Sequence, residues 1–60
     1  MFLNEKITII RKMNNLTQEG FAEELGVSRQ AVSKWEKGTS VPDVQLLLRI
    51  ADFYNLTLDQ

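Results

Sequence analysis

The feature that most constrains the fold is a three-residue break between two short segments of helical apolar spacing. The turn Leu25-Gly26-Val27 joins a segment over 18–25 to one over 29–37. Gly26 can adopt the left-handed backbone conformation with which helices commonly end. A tight turn of this kind sets two helices at about 90–120°. The two segments are therefore predicted to cross steeply rather than continue as one helix.

The rest of the chain also has helical apolar spacing, and no stretch alternates with period two for long enough to form a strand. A first helix is expected over 4–14, with Asn4 as its cap, and a fourth over 44–54, with Asp43 as its cap. The inner stripe of the fourth helix is expected to consist of Leu47, Ile50, Ala51 and Tyr54.

The two middle helices have clear start and stop signals. Thr17 and Ser28 are the expected caps, because their hydroxyls can accept the unpaired N–H groups of a first helical turn. Gly38 is expected to end the second of these helices. Gly20 lies inside the first, where it costs about 1 kcal/mol relative to alanine. The sequence offers no reason for that glycine.

The last six residues repeat an earlier junction. Asn55-Leu56-Thr57 has the same order as Asn15-Leu16-Thr17, and Thr57 and Gln60 have the spacing of a capping box. A fifth helix is therefore expected to begin here and to be cut off in its first turn. The predicted fold is one compact all-α domain of residues 1–60, with four helices plus the first turn of a truncated fifth.

Composition excludes several classes of protein. The 60 residues include no Cys and no His, and the net charge is −1. The chain therefore lacks a disulfide framework, a thiolate metal site and the commonest general base, and we expect no cofactor, no metal site and no enzymatic activity. No apolar run approaches the ~20 residues that span a bilayer, and the N-terminus lacks a signal-peptide pattern. We therefore expect a cytoplasmic protein that does not bind membranes.

The polar residues of the segment over 29–37 fall on one helical face. That face holds Arg29, Gln30, Ser33, Lys34 and Lys37. It carries three positive charges, and its side chains suit the base edges of DNA: Arg or Lys for guanine, Gln for adenine. The apolar residues expected to meet in the core are Phe21, Leu25, Val27, Val32 and Trp35. Structural roles are expected for Trp35, for Gly26 in the turn and for the small Ala22 at the helix crossing.

The pattern from Leu16-Thr17-Gln18 through Leu25-Gly26-Val27-Ser28-Arg29-Gln30 to Trp35-Glu36-Lys37-Gly38 resembles the lambda-repressor/Cro-like (XRE-type) helix-turn-helix family. The resemblance extends from about Leu3 to the end of the chain. It implies a compact five-helix domain, with the motif at about 18–37, that binds operator DNA as a dimer. The chain departs from the family pattern at Gly20, at Asn55 and in its missing fifth helix.

The resemblance also implies roles for individual residues. Bases are expected to be read by Arg29, Gln30, Ser33 and Lys34. The DNA backbone is expected to be contacted by Thr17, Gln18, Ser28, Lys37, Gly38, Thr39 and Ser40. Arg11 and Glu36 match a structural pair that ties the first helix to the end of the third. The expected partner is double-stranded DNA with a palindromic operator, bound by a homodimeric bacterial or phage transcriptional regulator of which this is the N-terminal domain.

A protein-binding module is the alternative. The first and fourth helices carry further apolar residues, namely Phe2, Ile9, Met13, Leu46, Leu48 and Phe53. Such a patch could meet the missing fifth helix, a dimer partner or another domain, and an antitoxin-type regulator could use it to hold a partner protein. The acidic face of the second helix could contact a polymerase; its residues are Glu19, Glu23 and Glu24. The polar face at 29–37 favours DNA.

Overall fold

The computed structural model describes residues 2–54 and confirms the all-α prediction for them. Its four helices are α1 (Leu3–Met13), α2 (Gln18–Leu25), α3 (Arg29–Lys37) and α4 (Val44–Phe53). The predicted start of a fifth helix lies outside the described residues. None of the helices in the described part is long and apolar enough to cross a membrane.

The core lies between α3 and the two helices that precede it. Its buried residues are Ile7, Phe21, Ala22, Leu25, Val32, Trp35 and Ile50. α3 packs against both α1 and α2, and α4 packs against α2. The core residues predicted around the turn are confirmed, with Val27 half-buried against the cluster. Because α3 buries its apolar side between two helices, its opposite side is left to the solvent.

Three helices begin at the predicted caps. The side chains of Thr17, Ser28 and Asp43 each accept a hydrogen bond from the backbone N–H three residues further on, at 3.0, 3.1 and 2.9 Å. Each such cap stabilises a helix by about 1 kcal/mol, which matters in a domain of this size. The predicted bounds of α2 and α3 are confirmed as a result.

Helices α2 and α3 end, as predicted, at glycines in the left-handed backbone conformation. Gly26 and Gly38 have φ of 72° and 80°, in the left-handed region that glycine adopts without steric cost. Asn15, after α1, has φ of 58°. Asparagine tolerates this region better than most residues.

The prediction for the start of α1 is wrong. The helix begins at Leu3, and its cap is Phe2 rather than Asn4. Phe2 has no polar side chain, but its backbone N–H donates to the Glu5 carboxylate at 3.1 Å. The stabilising acceptor therefore comes from inside the first turn, as in half of a capping box. Asn4 lies within the helix, and its side-chain amide donates to the backbone oxygen of Glu36 at 3.4 Å.

The structure supplies a reason for Gly20. A Cβ atom at this position would lie 3.3 Å from the Thr17 hydroxyl oxygen and 3.6 Å from Cδ2 of Leu16. The first contact is tighter than ordinary van der Waals packing. Glycine leaves room for the capping hydroxyl, so its low helix propensity is offset by an undisturbed cap.

The predicted inner stripe of α4 is partly wrong. Ile50 is buried and Tyr54 packs on the core, but the third core contact comes from Leu46 rather than Leu47 or Ala51. Leu46 had been expected in the exposed patch. Since α4 packs chiefly on α2, it meets the core through a narrow row of residues four apart, Leu46, Ile50 and Tyr54. Leu47 and Ala51 lie beside this row and are half-buried.

Candidate nucleic-acid interface

α3 presents the predicted polar face to the solvent. Arg29, Gln30, Lys34 and Lys37 are exposed, and Ser33 is half-buried. The opposite side of α3 is fixed in the core by Val32 and Trp35, which are 0% and 4% exposed. The rotation of α3 about its axis is therefore set by packing, and that rotation directs the long polar side chains away from the protein.

The N-terminus of α2 lies beside the last turn of α3. The Gln18 amide nitrogen donates to Oε1 of Glu36 at 3.1 Å, which brings these two helix ends together. Thr17 and Ser28 are exposed. Each hydroxyl oxygen accepts a backbone N–H and still carries one O–H donor of its own. Such donors at helix N-termini suit phosphate oxygens.

The carboxylate of Glu36 joins three parts of the fold. Arg11 donates to it twice, from Nε to Oε2 at 2.6 Å and from Nη2 to Oε1 at 3.1 Å. Nη1 of the same guanidinium donates to the backbone oxygen of Leu16 at 2.8 Å. The side chains of Arg11 and Glu36 are only 13% and 8% exposed. This cluster therefore links α1, the turn before α2 and the last turn of α3.

The charges of this pair are stabilised by each other. Burial of the Glu36 carboxyl disfavours its charged form, but hydrogen bonds from Arg11 and Gln18 outweigh burial and hold the pKa of Glu36 below its ordinary value. The pKa of Arg11 is raised, chiefly by its hydrogen bond to Glu36. The pair thus stays ionised and neutral in sum. The positive charge of the exposed face comes from Arg29, Lys34 and Lys37.

The segment after α3 folds back onto that helix. The backbone oxygen of Lys34 accepts the N–H groups of Thr39 and Ser40 at 3.0 and 3.4 Å. The Thr39 hydroxyl donates to the same oxygen at 3.2 Å. The exposed residues 38–40 are therefore held at the end of the polar face, next to Lys37. Every residue predicted to meet DNA thus lies on α3 or beside one of its ends.

The acidic residues of α2 are exposed, and one of them contacts the residue that follows α4. Glu19, Glu23 and Glu24 are exposed, and Glu24 accepts a hydrogen bond of 2.8 Å from the Tyr54 hydroxyl. Burial of the phenol, together with this bond, raises the pKa of Tyr54 to about 12. The Tyr54 ring also lies 5.7 Å from that of Phe21. Glu24 therefore helps to hold α4 on α2, a role that the sequence reasoning missed.

Asn4 is the second contributor that the sequence reasoning missed. Asn4, Ile7 and Arg11 are three and four residues apart, which places them on one face of a helix. That spacing was a usable signal that Asn4 faces α3 with the other two. Among residues 2–54, no group of three or more Cys, His, Asp or Glu side chains could hold a metal ion.

Two short helices that cross at a glycine turn, with the second exposing a cationic polar face, define a helix-turn-helix DNA-binding domain. The helix-turn-helix family matches residues 7–60, and the chain belongs to that family, in its XRE-type branch. Members of this kind are transcriptional regulators that bind double-stranded DNA.

Curated relatives agree with this assignment. The chain is 47% identical over its full length to the HTH-type transcriptional activator BcrR of Enterococcus faecalis, and covers 29% of that protein. It is 33% identical over its full length to the cryptic phage CTXphi transcriptional repressor RstR of Vibrio cholerae, and covers 54% of it. An uncharacterized HTH-type transcriptional regulator of Methanocaldococcus jannaschii is 39% identical over 95% of this chain and 86% of its own. No solved structure matches the chain with significance.

Proposed function

We propose that this chain is the N-terminal DNA-binding domain of a bacterial or phage transcriptional regulator, and that α3 reads specific sequences in the major groove. The domain comprises residues 1–60, with the motif at about 18–37. The observation that carries the proposal is the two-sided character of α3. Its apolar side is fixed between α1 and α2, while its exposed side carries three cations and an amide. A helix held in this way can enter the groove as a rigid element.

Base recognition is assigned to the exposed face of α3. Arg29 and Lys34 have donors that suit the N7 and O6 acceptors of guanine, and Gln30 can pair with adenine through one donor and one acceptor. Ser33 lies between them but is half-buried. A short hydroxyl at such a position reaches only a base or phosphate that approaches closely, so Ser33 is assigned the smallest share of the specificity.

Contacts to the DNA backbone are assigned to the two ends of α3. Thr17 and Gln18 lie at one end with Lys37 and residues 38–40, and Ser28 lies at the other. The Gln18 amide has two N–H donors, and the one not directed at Glu36 suits a phosphate oxygen. These contacts fix the register of α3 on the duplex and contribute to the affinity for every sequence alike.

The full regulator is proposed to act as a homodimer on a palindromic operator. Two copies of α3 would then read half-sites about 34 Å apart, one turn of the double helix. The protein-binding alternative is not better supported than DNA binding. Phe2, Met13, Leu48 and Phe53 are exposed, as that alternative needs, but the partner they would meet is not identified by any contact.

An NMR titration of the chain with a random-sequence duplex at low salt tests the proposed binding surface. We expect amide shifts at residues 17–18, 28–37 and 38–41, which weaken as salt is added because phosphate contacts release counterions. Spectra of the free chain across the same salt series provide the control, because they separate the effect of salt from the effect of DNA. Shifts confined to the exposed apolar residues of α1 and α4, with none on α3, would contradict the proposal.

A further inference from the structure

We infer that Asn4 is a positioning residue that holds the end of α3 and residues 38–40 in the geometry in which they meet DNA. The inference rests on the proposed function. Asn4 lies in the first turn of α1, far from the polar face of α3 in sequence. Its amide nitrogen nevertheless donates to the backbone oxygen of Glu36 at 3.4 Å, across 32 residues of chain.

The oxygen that Asn4 contacts belongs to the unpaired end of a helix. The last four backbone oxygens of an α-helix have no partner within the helix. In α3, the N–H groups of residues 38–40 serve the oxygens of Lys34 and Trp35. The oxygen of Glu36 receives the Asn4 amide instead. This bond adds a donor from another helix to the C-terminal cap of α3.

Glu36 is therefore held at both its backbone and its side chain by one face of α1. Asn4 contacts the backbone oxygen and Arg11 contacts the carboxylate. The two residues are seven positions apart, or two helical turns, and the buried Ile7 lies between them. A single contact would let the end of α3 pivot, whereas two contacts on either side of a buried residue fix its direction.

The Asn4 side chain also lies near Gly38, where the chain leaves α3. A Cβ atom at Gly38 would lie 3.7 Å from the Asn4 amide nitrogen and 3.8 Å from its Cγ. The Asn4 side chain thus packs beside Gly38, whose φ of 80° directs the chain toward Thr39 and Ser40. Because residues 38–40 are assigned to phosphates, Asn4 should affect the affinity for all sequences and leave base preference unchanged.

The test compares Asn4→Ala with Asn14→Ala. Asn14 is a matched control, because its amide also donates to a backbone oxygen, that of Ile10 at 2.8 Å, but at the other end of α1. Alanine is the best helix former, so neither change weakens α1 through propensity. For each variant, amide hydrogen exchange of residues 38–40 is measured without DNA. Its affinity is measured at fixed salt for two duplexes: one obtained by binding-site selection with the natural chain, and one of random sequence.

Loss of one such bond should speed exchange at residues 38–40 and weaken binding to both duplexes by about fivefold in Asn4→Ala alone. The inference would be overturned if amide exchange at residues 38–40 were the same in Asn4→Ala as in Asn14→Ala. It would also be overturned if Asn4→Ala lost affinity for the selected duplex alone. Unchanged affinity for both duplexes would overturn it too. Failure of the unsubstituted chain to bind any duplex would instead contradict the proposed function, and the exchange data would still show whether Asn4 holds residues 38–40.

Discussion

At the scale of single residues, Glu36 connects the last turn of α3 to both α1 and α2. Its carboxylate binds Arg11 and Gln18, and its backbone oxygen binds Asn4. The contact with Arg11 was implied by the family resemblance, which assigned Gln18 to the DNA backbone. The contact with Asn4 joins positions 32 residues apart. The helical spacing of Asn4, Ile7 and Arg11 indicates that Asn4 faces α3, but it does not identify the backbone oxygen that Asn4 contacts. Long-range contacts of this kind arise from the packing of helices and so emerge only with the fold.

Substitution of one partner of the Arg11–Glu36 pair should destabilise the fold strongly. Glu36→Gln leaves the guanidinium of Arg11 with little access to water and no counter-charge, which we expect to cost about 3 kcal/mol. That is a large part of the roughly 3–9 kcal/mol expected for a domain of this length. Urea unfolding of Arg11→Met, Glu36→Gln and the double variant measures the coupling. The double variant should lose clearly less free energy of unfolding than the two single variants lose in sum. Strict additivity of the two losses would contradict the account.

The same carboxylate makes stability depend on pH. The pKa of Glu36 is lower in the folded chain than the ordinary value of 4.5, so its contribution is present above that value and is lost as the pH falls through the folded pKa. Urea unfolding of the natural chain and of Glu36→Gln across the acid range should show a constant difference above about pH 5.5, one unit past the unfolded pKa. The difference should narrow below pH 4.5. A difference that persists unchanged into strong acid would exclude this linkage.

At the scale of elements, local chemistry predicts where most helices begin and end. Thr17, Ser28 and Asp43 cap as expected because each accepts an N–H only three residues away. Gly26 and Gly38 end helices because their φ values suit glycine. The start of α1 escaped prediction because its acceptor is the side chain of Glu5 rather than that of the cap residue.

The rotation of α4 was only partly predictable. Leu46, Leu47 and Leu48 are consecutive leucines, so the local pattern offers no polar residue to separate the inner from the outer side. Tertiary packing on α2 makes the choice, and places Leu46 inward with Ile50. The polar face of α3 was easier to predict, because Val32 and Trp35 are three residues apart on one side of the helix and the polar residues fall on the other.

The junction at the start of α2 should show coupling between Thr17 and Gly20. Gly20→Ala gains about 1 kcal/mol of helix propensity, but its Cβ crowds the capping hydroxyl at 3.3 Å, so the net change should be close to zero. In a Thr17→Ala background the hydroxyl is gone, and the same change should stabilise by about 1 kcal/mol. Urea unfolding of the four chains measures both effects. An equal gain in both backgrounds would show that the glycine does not protect the cap.

At the scale of the whole molecule, a domain with a net charge of −1 presents on one surface the cations that we propose to bind DNA. The acidic side chains Glu19, Glu23 and Glu24 lie on α2, while Arg29, Lys34 and Lys37 lie on the exposed side of α3. This separation limits the orientations in which the domain can approach a phosphate backbone. Under the proposed function, sequence specificity then depends on which side chains of α3 reach the bases.

The most direct test of this account is a binding-site selection with the natural chain and three variants. Arg29→Ala and Gln30→Ala should each relax base preference at a few positions, by about 1–3 kcal/mol. Gln18→Ala, assigned to the DNA backbone, should weaken binding to all sequences and leave the selected sequence unchanged. The same uniform loss for all three variants would contradict the central claim that α3 reads the bases.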